Sequence, residues 1–172
     1  NRAGWDAGAS TATLDIHNGN WKLAMGPEQD MNLAASVLAD ALLQLQLRPS
    51  KPLVFFGKDG VSRKGSSPQA SSHYLTFPRL ECAGTLTLGD GKHAVTGQAW
   101  MDHEISSSQL DEGQVGWDWA SLQLHDGREI MVYRIRRTDG SSDPAGTTLA
   151  WIDKAGMVTH LDVEAAGIER VI

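Results

Sequence analysis

Hydrophobic and polar residues alternate along most of the chain, a pattern that predicts β-strands rather than helices. In residues 11–23, Leu14 and Ile16 fall on one face of a strand and the residues between them on the other, because successive side chains point to opposite faces. The Asn18-Gly19 pair then predicts a two-residue hairpin turn, since both residue types tolerate positive φ. Similar turn signals recur roughly every 8–12 residues, which predicts an antiparallel barrel or sandwich.

Residues 31–47 fit two different elements. Alanines and leucines at a spacing of four residues would suit a helix. The second half of the segment, residues 43–47, instead alternates leucine with glutamine, and Pro49 follows. Because the neighbouring segments have strand patterns, we predict a hairpin with a tight turn at Ala39-Asp40.

A long polar connection follows. Residues 52–70 begin with an apolar run and continue as a loop rich in glycine, serine and basic residues, namely Lys58, Arg63 and Lys64. The spacing of a phosphate-binding loop is absent. One interpretation is a solvated connecting loop, and the other is a lid over a pocket, because long loops in compact domains are often functional.

Composition and charge narrow the classes of function. The 172 residues can form one large domain or two small ones. The net charge of −6 argues against a nucleic-acid-binding protein, which needs a basic face. Cys82 is the single cysteine, so no intrachain disulfide can form. No apolar run approaches the roughly 20 residues of a membrane span.

The richest stretch is residues 97–124, which contains three of the six tryptophans. On a strand, Trp100, Asp102 and Glu104 share one face, and His103 lies on the other. An acid beside a large aromatic side chain is what an apolar pocket for a catalytic carboxyl would contain, although a half-exposed strand end has the same pattern. Trp117 and Trp119 also share a face.

Two further polar residues have two interpretations each. His73 lies on the otherwise apolar face of a predicted strand, residues 72–77, and is either a hydrogen-bonded core histidine or a catalytic one. Asp118 faces away from the two neighbouring tryptophans. It is either a second buried acid or the partner of an arginine such as Arg79 or Arg134.

Sequence motifs for metals and cofactors are missing. The histidines are scattered, with no H-x-x-x-H or C-x-x-C pair, and no G-x-G-x-x-G follows a strand. A G-x-S-x-G nucleophile elbow is also absent. We therefore predict no metal site and no cofactor.

Four segments in order, LQLRPSKPLVFFGKDGVSRKG, ASSHYLTFPRL, GQAWMDHE and GWDWASLQLHDGREIMVYRIRRTDG, resemble the carotenoid 1,2-hydratase (hydroxyneurosporene synthase) family. The resemblance is closest to its bacterial branch of AttH-type proteins, described as secreted hydrolases or ABC-transporter accessory proteins. It implies an all-β fold of tandem lipocalin-like antiparallel β-barrels. Residues 1–107 would form an N-terminal domain that lacks its first strands, and residues 108–172 part of the second domain.

The resemblance also implies a function. We expect a protein that binds an apolar small molecule, a lipid or an isoprenoid, without a cofactor. The resemblance also suggests a role as the accessory of an ABC transporter and a location in the periplasm or outside the cell. The alternative is a cofactor-free hydratase or cyclase that protonates an isolated double bond.

The resemblance assigns these roles to particular residues. In the hydratase alternative, Asp102 would be the acid, which burial can keep protonated. His73 would handle the incoming water and Trp100 would form an aromatic wall beside the cation. The expected ligand-binding residues are Tyr74, Trp117, Trp119 and Asp118.

Overall fold

The computed structural model describes residues 6–38, 40–106, 108 and 110–161, and all regular structure in these residues is β-strand. The predicted all-β antiparallel fold is therefore confirmed. In this part of the chain, the strands are β1 (Ala7–Ala9), β2 (Asp15–Asn18), β3 (Trp21–Met25), β4 (Met31–Leu38), β5 (Ala41–Pro49), β6 (Val54–Phe55), β7 (Val61–Arg63), β8 (Ser71–Leu88), β9 (Gly91–Ser106), β10 (Gln114–Gln123), β11 (Glu129–Arg137), β12 (Thr148–Ile152) and β13 (Val158–Leu161). No helix long and apolar enough to cross a membrane occurs among the residues described.

The chain divides into two compact units. Unit 1 comprises Asn1–Ser50 and Arg79–Ala99, and unit 2 comprises Lys51–Pro78 and Trp100–Ile172. The long strands β8 and β9 contribute residues to both units. The domain boundary after residue 107 stays a prediction.

Unit 1 is an antiparallel ladder in which the ambiguous segment forms a hairpin. Strand β4 pairs with β5, and Met31 lies opposite Leu47. Both of these side chains are buried, as the alternation of leucine with glutamine requires when only one face of the hairpin is covered. The hairpin prediction is confirmed, and Ala39 of the expected turn lies outside the described residues.

Strand β8 is longer than the sequence predicts. The strand predicted at residues 72–77 is part of a single strand that continues through Pro78 to Leu88. Thr76 pairs with β6 and Leu80 pairs with β5, so Pro78 falls between the residues bonded to these two partners. A proline lacks an N–H and is tolerated in a strand where no ladder hydrogen bond is required from it.

The core of unit 2 lies against the sheet β10-β11-β12-β13. On β11 every second residue is buried, including Met131, Tyr133 and Ile135, and each such side chain contributes roughly 1.5–3 kcal/mol through burial. Trp100, at the start of the unit 2 part of β9, packs against this core. Strand β10 has a bulge at Gly116, whose φ is 152°.

A buried ion pair ties three segments of unit 2 together. The Lys51 ammonium lies 2.6 Å from the Glu129 carboxylate, and the two side chains are 5% and 0% exposed. The same ammonium donates hydrogen bonds of 2.6 Å to the carbonyl oxygens of Gly127 and Asp153. Three acceptors match the three N–H groups of a lysine, so this ammonium is fully satisfied.

Candidate functional site

A cavity of about 190 Å³ lies within unit 2. Engineered cavities of roughly 150 Å³ hold a benzene molecule, so this space fits a ring or a polar head group rather than a whole lipid. Its walls come from the segment after β7 and from β8, β9, β10, β11 and the segment after β9. The lining residues are Lys64, Tyr74, Asp102, Glu104, Ser106, Ser108, Trp117, Trp119 and Tyr133.

Asp102 accepts three hydrogen bonds at this cavity. Tyr74 donates its hydroxyl to Oδ2 at 2.9 Å, and the Thr76 hydroxyl lies 2.6 Å from Oδ1. The indole N–H of Trp100 donates to Oδ1 at 2.8 Å. Trp100 and Asp102 therefore share a face of β9, as the alternation predicts.

The direction of one hydrogen-bond chain is fixed by chemistry. An indole N–H can only donate, so Trp119 Nε1 donates to the Tyr74 hydroxyl oxygen at 3.0 Å. The Tyr74 hydrogen is then directed to Asp102, and burial followed by the Asp102 charge raises the pKa of Tyr74. Asp102 is consequently an acceptor on both of its oxygens.

Lys64 and Glu104 form an ion pair beside Asp102. Lys64 Nζ lies 2.7 Å from Glu104 Oε1, with side chains 3% and 35% exposed, and Ser72 donates its hydroxyl to the same carboxylate oxygen. The ammonium also lies 4.0 Å from the ring centre of Tyr133 and 4.7 Å from that of Tyr74. Within the described ranges, Lys64 Nζ has no hydrogen bond of regular geometry.

Burial shifts the pKa of Lys64 and of Tyr133. Desolvation lowers the pKa of Lys64, against the opposing effects of Glu104 and Asp102. Burial, with a smaller contribution from the Glu104 charge, raises the pKa of Tyr133 to about 12. The cavity therefore contains a lysine that releases its proton more easily than an exposed one.

Distant residues hold the Lys64 backbone in place. Gln114 donates from Nε2 to the Lys64 carbonyl at 2.6 Å and to Asp143 at 2.9 Å. The Lys64 N–H donates to the Ala70 carbonyl at 2.7 Å. A Cβ atom at Gly146 would collide with the Lys64 carbonyl oxygen, so only glycine allows this close approach.

The aromatic residues predicted from the sequence come together at the cavity. Trp100 and Trp119 make an edge-to-face contact with ring centres 6.3 Å apart, and Trp117 stacks on Tyr133 at the same distance. Trp117 and Trp119 are each 41% exposed. Their role in ligand binding, like that of Tyr74 and Asp102, stays a prediction.

Two predicted site residues do not join the others. His73 is exposed and pairs with Val61 of β7, on the face of β8 opposite to Tyr74, so the expected pairing of His73 with Asp102 is not found. Asp118 forms ion pairs with Arg134 at 3.2 Å and Arg136 at 3.4 Å. The structure therefore agrees with the second interpretation of Asp118, that of an ion-pair partner. Asp118 is not among the residues that line the cavity.

The sequence argument gave no site role to several residues at the cavity, among them Glu104, Thr76, Tyr133 and Lys64. The predicted strand places Glu104 on the same face as Asp102, which was a usable signal. Thr76 and Tyr133 look like ordinary strand residues. Lys64 looks like one of three solvated cations, and nothing local distinguishes it from Lys58. Across the ranges described, no group of three or more metal-ligating side chains is suitably placed.

Comparison with known proteins assigns the family. A model of the AttH-like family matches residues 1–171. The chain belongs to the AttH-like family. This confirms the AttH-type resemblance of the four sequence segments.

Solved structures share the fold over nearly the whole chain. The crystal structure of an AttH-type protein from Nitrosomonas europaea is 31% identical, with a TM-score of 0.85 over 95% of this chain and 50% of that one. Kievitone hydratase from Nectria haematococca has a TM-score of 0.69 at 14% identity, over 90% of this chain and 48% of that one. At this identity the likeness to the hydratase concerns the fold alone.

A curated fungal relative carries a ligand in its name. The ceramide-binding protein svf1 of Emericella nidulans is 24% identical over 103 residues, which are 58% of this chain and 27% of the fungal protein. The chain thus spans about a quarter of this relative and half of each solved structure.

Proposed function

We propose that this protein binds an amphipathic, lipid-like small molecule in unit 2. Its polar group would enter the cavity of Lys64, Asp102 and Glu104, and its apolar part would cover Trp117 and Trp119. One observation carries this proposal: charged groups with unused hydrogen-bonding capacity line the same cavity as two half-exposed indole rings, those of Trp117 and Trp119. The ceramide-binding relative supports the class of ligand.

The charges of the cavity favour a neutral polar group. Lys64 contributes +1 and the two carboxylates −2, which gives +1 − 2 = −1. A hydroxyl or amide can donate to Asp102 or Glu104 and accept from Lys64, whereas a phosphate or carboxylate would be repelled by the excess negative charge. Ligands with hydroxyl or amide head groups should therefore bind more tightly than anionic lipids of the same chain length.

The two tryptophans supply the apolar contact. Each indole combines a large apolar surface with little conformational entropy to lose, which is why tryptophan is enriched among residues that dominate binding energies. Covering apolar surface contributes roughly 25 cal/mol per Å². The polar cavity then orients a ligand whose affinity comes largely from Trp117 and Trp119.

The test is a binding titration on the purified protein. A short-chain ceramide is added while tryptophan fluorescence is followed, and lipids extracted from the protein as purified are identified by native mass spectrometry. We expect Asp102→Asn and Lys64→Met to weaken binding about 10-fold or more, because hydrogen bonds to charged groups contribute roughly 1.5–3 kcal/mol.

Asp118→Asn is the matched control, because its carboxylate forms ion pairs in the same unit but is not among the residues that line the cavity. Its affinity should equal that of the wild type. Equal affinities for all three variants, or no binding of ceramide and of an uncharged fatty alcohol, would contradict the proposal.

The hydratase alternative has one supporting observation. Asp102 lines the cavity beside Trp119 and touches Trp100, as acid and aromatic walls would. Against it, Asp102 accepts hydrogen bonds on both oxygens and His73 lies on another face. Water addition to a polyene by the wild type, lost in Asp102→Asn, would establish this alternative. The transporter partner and the periplasmic or secreted location stay predictions.

A further inference from the structure

Lys64 combines three features that favour reaction with a small molecule. Its side chain is 3% exposed, so it is held in one place. Its ammonium faces a cavity that is large enough for a small molecule. Its only ion pair among the described residues is with a carboxylate at 2.7 Å, and two tyrosine rings lie 4.0 and 4.7 Å from the ammonium. An amine in such surroundings is accessible to a ligand and has a proton acceptor beside it.

We propose that Lys64 is a nucleophile that forms an imine with aldehydes or ketones that fit the cavity. The site is the one assigned to ligand binding. The reactivity itself needs only a small carbonyl compound, so it can be tested separately from lipid binding.

The reaction balances with the groups present. Glu104 takes a proton from the Lys64 ammonium, and the free amine attacks the carbonyl carbon, forming a C–N bond. The carbonyl oxygen receives a proton and becomes the hydroxyl of a carbinolamine. The nitrogen loses its remaining proton as the C–O bond breaks and water leaves, so amine and carbonyl give imine and water. Glu104, 2.7 Å away and 35% exposed, can exchange these protons with solvent.

The free amine is the reactive form, and its surroundings favour it. Removal from water penalises an ammonium more than an amine, and burial lowers the pKa of Lys64. Reactive lysines of enzymes are commonly activated in this way.

Lys51 provides an internal control. It is as buried as Lys64 and also pairs with a glutamate, but three acceptors use all its N–H groups. It does not line the cavity. Burial and ion pairing are therefore common to both lysines, and they differ in the cavity, the missing acceptors and the exposure of the paired glutamate.

The experiment uses benzaldehyde, since a ring of this size fits the cavity. The purified protein is incubated with benzaldehyde and cyanoborohydride near neutral pH, and the benzylated lysines are located by peptide mapping. We expect label at Lys64 well above that at the exposed Lys58, Lys92 and Lys154, and none at Lys51. Lys64→Arg, which keeps the charge and much of the bulk, should lose this label and leave the others unchanged.

The outcomes separate the two proposals. Label that follows exposure, with Lys64 at or below the surface lysines, overturns imine formation even if ceramide still binds. Specific label at Lys64 without ceramide binding supports imine formation and contradicts the lipid-binding proposal instead. Thermal unfolding and circular dichroism of Lys64→Arg show whether the variant is folded, and the wild-type labelling pattern decides the matter if it is not.

Discussion

Unit 2 contains two buried lysines, each next to a glutamate, in very different surroundings. Lys51 lies 2.6 Å from Glu129 and also bonds two carbonyl oxygens, so its charge is fully compensated. Lys64 lies 2.7 Å from Glu104, contacts two tyrosine rings and faces a cavity. The Lys51 ammonium has an acceptor inside the protein for each of its three N–H groups.

Under the proposed function, this difference separates a structural ion pair from one that belongs to a ligand site. A buried charge without enough hydrogen-bond acceptors lowers the stability of the folded protein. Such a group is typical of a binding site, where a ligand supplies the missing acceptor. The two lysine side chains are similarly buried and lie at similar distances from their carboxylates, whereas Glu129 is 0% and Glu104 35% exposed. The number of acceptors and the neighbouring cavity also distinguish the two pairs, and the following predictions test that distinction.

The largest effect is expected for Lys51→Met. It leaves Glu129 buried without its cation, and breaking a buried pair in this way costs about 3–5 kcal/mol. The free energy of unfolding, measured with urea, should fall by this amount, while the folded fraction binds ligand normally. The double variant Lys51→Met/Glu129→Leu should recover much of the loss. A change below about 1 kcal/mol would mean that Lys51 is not the structural lysine of the comparison.

The reverse pattern is expected for Lys64→Met. Glu104 is 35% exposed and stays hydrated when its partner is removed, so stability should change by no more than about 1 kcal/mol. Affinity for ceramide should fall about 10-fold or more. Urea unfolding and the fluorescence titration, run on the same samples, measure the two quantities. A large loss of stability with unchanged affinity would remove the distinction between the two lysines.

The pH dependence of stability should distinguish wild type from Lys64→Met. Because the folded-state pKa of Lys64 is lowered from 10.5, the unfolded chain binds more protons in the interval between the two values. Stability of the wild type relative to the variant therefore rises with pH in that interval and levels off above 10.5. Urea unfolding of both proteins below pH 10.0, where the tyrosines with raised pKa stay protonated, measures the slope. A difference that is flat with pH would contradict the lowered pKa.

The smallest effect is expected for His73→Ala. His73 is exposed on the face of β8 away from the cavity, so stability should change by less than about 0.5 kcal/mol and ceramide affinity should not change. Titration and unfolding alongside the wild type provide the check. A loss of binding or of any hydration activity would restore the catalytic role that the family resemblance implies.

Local patterns were sufficient to predict most of the fold. Alternating residues and the Asn18-Gly19 turn gave the strands, and the leucine–glutamine alternation favoured a hairpin at residues 31–47 over a helix. The continuity of β8 through Pro78 was not predictable, because it depends on where two other strands stop pairing.

The candidate site was predictable only in part. Strand alternation placed Trp100, Asp102 and Glu104 on one face, and the structure agrees. Lys64 could not be identified, because its backbone is held by Gln114, 50 residues away, and its burial depends on β11. The family resemblance predicted that His73 acts together with Asp102. His73 and Tyr74 are neighbours on one strand and therefore lie on opposite faces of it, and it is Tyr74 that contacts Asp102.

The Lys51 ion pair also has a kinetic consequence. Its ammonium joins partners 76, 78 and 102 residues away along the chain, and contacts of such separation require the intervening loops to close first. The pair should therefore form after the folding transition state. Removing it should then speed unfolding and leave the folding rate almost unchanged. Lys51 would therefore contribute to kinetic stability, the lifetime of the native state, rather than to the speed of folding.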